Sequence, residues 1–410
     1  MDPVGKSSPI LRLSNPVRPY SWGTTFAIAD LLGIADDGEP KAELWLGAHP
    51  DSPSLLPDGG RLDELIASDS GGLVGPDVER AFGKRLPYLL KVLSAAQPLS
   101  LQVHPDAEQA AAGFADEESR GVSQDAANRR YRDSFHKPEM VVALTPFDAL
   151  CGLRDPALTL PLLGALDVEG PAWSHLLDLL SAADSSAALR DSVSWLLGND
   201  ERLPSLVRAV GQAAAAAADR PEFATAAALA EAYPDDPGVL VALLLNRVQL
   251  APGEALYLPA GNIHAYLHGM AIEVMASSDN VLRAGLTPKH VDAAELMRIT
   301  DFTPRPIPVV VPEHAGPIAV YRPGAAEFEL AMIRLEDGTG WHDVPVSGPR
   351  IMLVLEGELA VRVAEPSTAL NTQRVTRGGS VFVPAASGAL SLRGDGTAVV
   401  AGVPGAQHVD

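Results

Sequence analysis

The most constraining stretch of this chain runs Gly253-Glu254-Ala255-Leu256-Tyr257-Leu258-Pro259-Ala260-Gly261-Asn262-Ile263-His264. A turn glycine opens it, a short apolar run reads as a strand, and a Pro-x-Gly reversal ends that strand with a histidine just beyond. The sharp reversal aims the imidazole of His264 inward. The plain alternative is a structural histidine after a turn. Either way, this part of the chain has to be sheet.

The surroundings agree. The first ~150 residues read as short strands and turns, with Pro and Gly punctuating apolar runs such as Leu86-Pro87-Tyr88-Leu89-Leu90-Lys91-Val92-Leu93. From about Pro156 to Asn246 the chain becomes rich in Ala and Leu at helical spacing. There Pro204, Pro221, Pro234 and Pro237 divide it into several short helices. Strand and turn signals return after Arg247, where Gly253, Gly261, Gly269 and Gly285 mark hairpin-sized pieces. Thr303-Pro304-Arg305-Pro306-Ile307-Pro308 reads as a linker, and Ile351–Leu355 with Leu359–Val363 as a hairpin around Glu356-Gly357-Glu358. The expected fold is mainly β with an α insert: two β-barrel or jelly-roll domains plus an inserted helical domain. The expected divisions are 1–153 with 247–305, then 154–246, then 306–410.

Charge and cysteine usage narrow the function. A net charge of -21 argues against nucleic acid or an anionic membrane as partner, because binding phosphate backbones needs a basic face. A small anionic substrate remains open, provided a local basic cluster meets it. No apolar stretch approaches the ~20 residues of a spanning helix, and Met1-Asp2-Pro3-Val4-Gly5-Lys6 does not read as a signal peptide. The single cysteine, Cys151, rules out an internal disulfide and fits a reducing cytoplasm; within Phe147–Leu153 it reads as a small buried hydrophobe.

Two further segments carry chemistry. In Leu99-Ser100-Leu101-Gln102-Val103-His104, strand alternation puts Ser100, Gln102 and His104 on one face and the apolar residues on the other. In His136-Lys137-Pro138-Glu139-Met140 the residue before proline is extended, so Lys137 and Glu139 share a face. Taken singly, the first is also what a surface strand looks like, and Glu139 is also an ordinary solvated charge.

Together the segments resemble a family. The Gly253–His264 stretch is similar to the second signature motif of cupins, whose final histidine binds metal. Gln102-Val103-His104-Pro105-Asp106, His136-Lys137-Pro138-Glu139 and Pro259-Ala260-Gly261-Asn262-Ile263-His264-Ala265-Tyr266 resemble the type I phosphomannose isomerases. So do Ala42-Glu43-Leu44-Trp45-Leu46-Gly47-Ala48-His49-Pro50 and Ser278-Asp279-Asn280-Val281-Leu282-Arg283-Ala284-Gly285-Leu286-Thr287-Pro288-Lys289.

The resemblance implies an aldose–ketose isomerase acting on mannose 6-phosphate and fructose 6-phosphate, with one zinc ion per chain held by Gln102, His104, Glu139 and His264. Two imidazoles, a carboxylate and a neutral amide leave Zn²⁺ with a net charge of about +1, suited to an electrophile. The choice of zinc over manganese, iron or cobalt rests on the resemblance, since an all-N/O site accepts each of them. The resemblance also implies Arg283 as a catalytic residue, with Ser100, Lys91, Lys137 and Lys289 lining the pocket for the phosphate and sugar hydroxyls. Glu273, between apolar neighbours, is a candidate base or else the partner of a pocket lysine; His49 and a metal-bound water compete with it. Gly379-Ser380-Val381-Phe382-Val383-Pro384 echoes the cupin turn without a histidine, so the C-terminal unit is expected to be metal-free structural support. A cytoplasmic, monomeric enzyme of a small sugar phosphate is expected. Another metal-dependent cupin (an isomerase of different preference or a dioxygenase) is the competing reading, and a sugar-binding module that has lost catalysis is the third.

Overall fold

Strand Tyr88–Ala95 is buried along its whole length, and its neighbours explain why. In the computed structural model it pairs antiparallel with Glu43–Leu46 on one side and with the long strand His264–Ala276 on the other. Beyond these come Glu139–Ala143, Ala255–Leu258 and Val309–Val310. Alternation sends Leu44, Val92, Ile272 and Val142 to one face, and Trp45, Lys91, Glu273 and Glu139 to the other. The structure describes residues 9–126, 128–198, 200–289, 291–364 and 370–405; the N-terminal sequence read above for a signal peptide lies outside them.

The apolar face packs against a second antiparallel sheet from the C-terminal part of the chain, so that Val92 and Ile272 share one core with Phe328, Leu353 and Phe382. The fully buried Tyr88 hydroxyl lies 3.0 Å from the carbonyls of both Pro349 and Ala401 across this junction. Two short strands cross the expected divisions. Leu11–Leu13 pairs with Ser380–Val383 of the C-terminal sheet, and Val309–Val310 with Leu256 and Ala255 of the first. The protein is thus mostly β, with two antiparallel sheets and several helices. Neither sheet closes into a barrel by strand pairing among the described residues.

The helical insert runs from Pro156–Leu163 to Gly238–Leu243. Pro156, Pro171 and Pro221 each open a helix, and Pro204 stands in the first turn of another, where a missing N–H costs nothing. Trp173, Leu189, Val207 and Phe223 form its core, which continues onto Leu101, Val103, Ala265 and Leu282 of the β unit.

Several expectations need correcting. The predicted hairpin around Gly357 is one continuous strand, Arg350–Ala364, paired with Leu390–Gly402 along its length. The glycine marks an irregularity, not a turn. At φ +70° it sits so close to Asp395 that a Cβ would lie 2.1 Å from that carbonyl oxygen. Gly269 likewise does not break its segment, because strand His264–Ala276 runs straight through it. Only Gln102–Val103 of the predicted strand at 99–104 is regular, although Leu99 N–H donates to Tyr266 O and Leu101 N–H to Gly285 O. The first ~150 residues also hold helices, the longest being Ala107–Ser119. It begins with a reciprocal cap in which the Asp106 side chain accepts from Gln109 N–H and the Gln109 side chain accepts from Asp106 N–H. No helix among the described residues is long and apolar enough to cross a membrane.

Candidate metal centre

Strand register assembles the site. Gln102 stands directly opposite His264 on one neighbouring strand and Arg283 on the other, so these three side chains share a face. Val103 and Leu282 point the opposite way, into the helical core. The face bearing His264 looks across the interior at the first sheet, where Glu139 and Glu273 project toward it.

At the meeting point, His104 Nε2 stands 3.4 Å from Glu139 Oε1 and His264 Nε2 3.4 Å from Glu139 Oε2. All three residues are buried, and one ligand atom from each lies within 4.8 Å of the others. Both imidazoles are fixed in one tautomer. His104 Nδ1 lies 2.7 Å from Asn280 O and His264 Nδ1 3.0 Å from Asn262 O. A carbonyl can only accept, so each Nδ1 carries the proton and each Nε2 offers a lone pair. His104 Nε2 is buried without a partner. Donors about 2.1 Å from a tetrahedral ion stand about 3.4 Å apart, so the spacing and the unused lone pair fit a divalent metal such as zinc.

The Pro-x-Gly reversal does what its sequence suggests. Gly261 adopts φ +76°, its N–H donates to His104 O, and a Cβ there would meet Asp301 N at 3.1 Å. One turn therefore ties the backbones of both candidate histidine ligands together.

Electrostatics separate the cations into two groups. Lys91 Nζ lies 3.0 Å from Glu273 and 3.8 Å from Glu43, and Lys137 Nζ lies 2.8 Å from Glu139. Burial alone would lower Lys91, but Glu273, Glu43 and Glu139 outweigh it and keep the ammonium charged. Burial pushes Glu273 up, against the pull of Lys91. Burial would also raise Glu139, yet Lys137 and the imidazole of His104 hold it well below the ordinary carboxylate range. The second group is Arg283, Lys289 and Arg132, none of which has a carboxylate within 4.0 Å among the described residues. Burial and then Arg132 lower Arg283, while Arg283, burial and Arg132 together lower Lys289.

Burial pushes His104 down to about 4 from 6.5, although Glu139 pulls the other way. A base whose folded pKa is depressed stabilises the fold above its unfolded pKa, and that stability is lost as acid protonates it. In chelator-stripped protein a contribution on the order of 3 kcal/mol should therefore disappear between pH 6.5 and about pH 4. Melting temperatures across that window should fall more steeply for the wild type than for His104→Ala. Parallel profiles would count against a buried neutral imidazole.

A family model described as phosphomannose isomerase type I, catalytic domain, matches residues 10–156. The mannose-6-phosphate isomerase of Salmonella typhimurium is 38% identical over 395 residues, covering 94% of this chain and 97% of that protein. The chain belongs to the type I phosphomannose isomerase family. The Homo sapiens mannose-6-phosphate isomerase is 31% identical over 410 residues, covering 92% of this chain and 93% of that one. A zinc-bound crystal structure of mannose 6-phosphate isomerase matches with a TM-score of 0.87 at 35% identity, covering 97% of this chain and all of the other.

Within this phosphomannose isomerase fold, some site residues carried no role in the sequence. Asn280 is completely buried. Its backbone oxygen orients His104, and its side-chain oxygen accepts from Arg132 N–H at 2.8 Å. Glu43 accepts from Trp45 Nε1 at 2.6 Å and faces Lys91. His49 is buried, with Nε2 3.3 Å from Asp279. Ser100 is half-buried two residues before Gln102, and Lys289 is exposed. Cys151 is buried opposite His264, and burial pushes its thiol up to about 12, so it is no nucleophile at neutral pH.

Proposed function

We propose that the protein interconverts D-mannose 6-phosphate and D-fructose 6-phosphate through an enediol(ate), at one zinc ion held by Gln102, His104, Glu139 and His264. The observation that carries this reading is the convergence of His104 Nε2, His264 Nε2 and Glu139 on one buried point. The names of the relatives, mannose-6-phosphate isomerases, supply the substrate. The two β units are read as cupin-like, with 1–153 plus 247–305 catalytic, 154–246 the helical insert and 306–410 a metal-free unit.

Bound zinc supplies a Lewis acid for the sugar's O1 and O2 oxygens, where charge develops as the proton leaves C2. The chain's own residues do the rest. Arg283, on the same face as Gln102 and His264, offers a bidentate donor to an oxygen of the enediolate. Glu273 is the candidate base that carries the proton between C2 and C1. Its buried position raises its proton affinity, and the Lys91 ammonium at 3.0 Å holds it in place. His49 beside Asp279 is the alternative base. Lys91 and Lys137 already face carboxylates, so the doubly charged phosphate is assigned to Lys289 and Arg132, which have no carboxylate within 4.0 Å among the described residues. Ser100 is assigned to a sugar hydroxyl.

In a coupled assay the purified protein should turn over mannose 6-phosphate, lose that activity to a chelator and regain it with added zinc. Chelator-resistant turnover, or none with zinc present, overturns the proposal.

A further inference from the structure

The segment that carries Glu139 has two sides. Lys137 and Glu139 face the metal centre. His136 meets a residue from the far end of the chain: its Nε2 lies 2.5 Å from Glu327 Oε1, 191 positions away. Glu327 stands in the turn between strands Ile318–Tyr321 and Glu329–Leu335 of the C-terminal sheet. The next residue, Phe328, is completely buried in the core that both sheets share.

This carboxylate is not an ordinary surface partner for a histidine. Glu327 is 6% exposed, and its second oxygen, Oε2, is buried with no partner. Burying a carboxylate is costly, and an apolar side chain would serve the interface better if packing were all that mattered. The neighbouring loop is held from the same side. The Arg85 guanidinium lies 3.3 Å from the centre of the Phe135 ring, and it donates to the carbonyls of Phe82 and Ser277. The bracket thus grips residues 135 and 136, immediately before Lys137.

We infer that Glu327 of the C-terminal unit is a positioning residue of the active site, which through His136 holds Lys137 against Glu139. The inference rests on the proposed isomerase reading for its activity test. It gives the C-terminal unit a direct part in the site beyond structural support.

The test uses full-length, zinc-loaded protein. Glu327→Ala should lower kcat for mannose 6-phosphate roughly tenfold, with KM within about twofold and stoichiometric zinc retained. Glu327→Gln keeps an acceptor oxygen for His136 and should recover most of that loss. His136→Ala should match Glu327→Ala, and the double variant should lose no more than either alone, because both changes remove one contact. Wild-type kcat in Glu327→Ala, no recovery in Glu327→Gln, or additive losses overturn the inference. Should Glu327→Ala fail to fold, wild-type kcat in His136→Ala does so by itself. If the wild type does not act on mannose 6-phosphate, the isomerase reading falls separately. Zinc release then decides: a chelator should strip Glu327→Ala and His136→Ala faster than wild type and Glu327→Gln at close to the wild-type rate, and wild-type rates in both alanine variants reject the positioning role.

Discussion

His264→Ala protein, dialysed after loading with zinc, is expected to retain no stoichiometric metal and to lose turnover by at least about 10³-fold. The reason lies in how few donors converge. His264 supplies one of two imidazole lone pairs at the site, and Asn262 O already fixes its tautomer for that task. If binding of roughly 10–16 kcal/mol is shared among four ligands, losing one costs about 2.5–4 kcal/mol, and the affinity falls by roughly 10²–10³-fold. The remaining catalytic loss comes from misplacement of whatever metal still binds. Metal analysis beside a coupled assay reads both effects. Stoichiometric zinc in the variant removes His264 from the ligand set.

Arg283→Ala and Glu273→Gln should both retain zinc yet fail differently. Arg283 lies opposite Gln102 and has no carboxylate partner among the described residues, so on the proposed reading its loss removes charge stabilisation from the developing oxyanion. A fall in kcat of about 10²–10³, with a raised KM, is expected. Glu273→Gln should lower kcat by roughly 10²–10⁴ with KM little changed, as befits a lost base. The amide also leaves Glu43, 3.8 Å away, as the nearest carboxylate to the buried Lys91 among the described residues, and breaking a buried pair costs about 3–5 kcal/mol. A lowered melting temperature should accompany the kinetic loss. If Glu273→Gln melts early but turns over normally, Glu273 serves only Lys91, and His49 becomes the base to test.

What the chain's linear pattern could reveal follows from how local each feature is. The helical insert was legible because Ala and Leu favour helix along the whole stretch, and Pro156, Pro204 and Pro221 fall where helices begin. The segment around Gly261 was legible because a positive-φ turn demands glycine and fixes the following histidine. Gly269 and Gly357 misled for the opposite reason. A glycine lets two backbones approach as readily as it makes a turn, and only the partner strand decides which. Helix Ala107–Ser119 was missed despite its capping pair, because its polar residues leave little apolar periodicity. Arg132 reads in the chain as any surface cation. Its meaning comes from Asn280, 148 positions away, which holds its backbone. The His136–Glu327 contact is more remote still, and no local pattern announces it.

Strand His264–Ala276 begins beside Gln102 in one layer and ends beside Tyr88–Ala95 and Glu139–Ala143 in the other, changing partners near Gly269 at φ +115°. A single unbroken peptide therefore frames both walls of the cavity, like the bow of a pair of tweezers. The separation of the imidazole at its start from Glu273 in its second half follows the curvature of that one segment. Loosening elsewhere, in the helical insert or at the sheet margins, need not part His264 from Glu273.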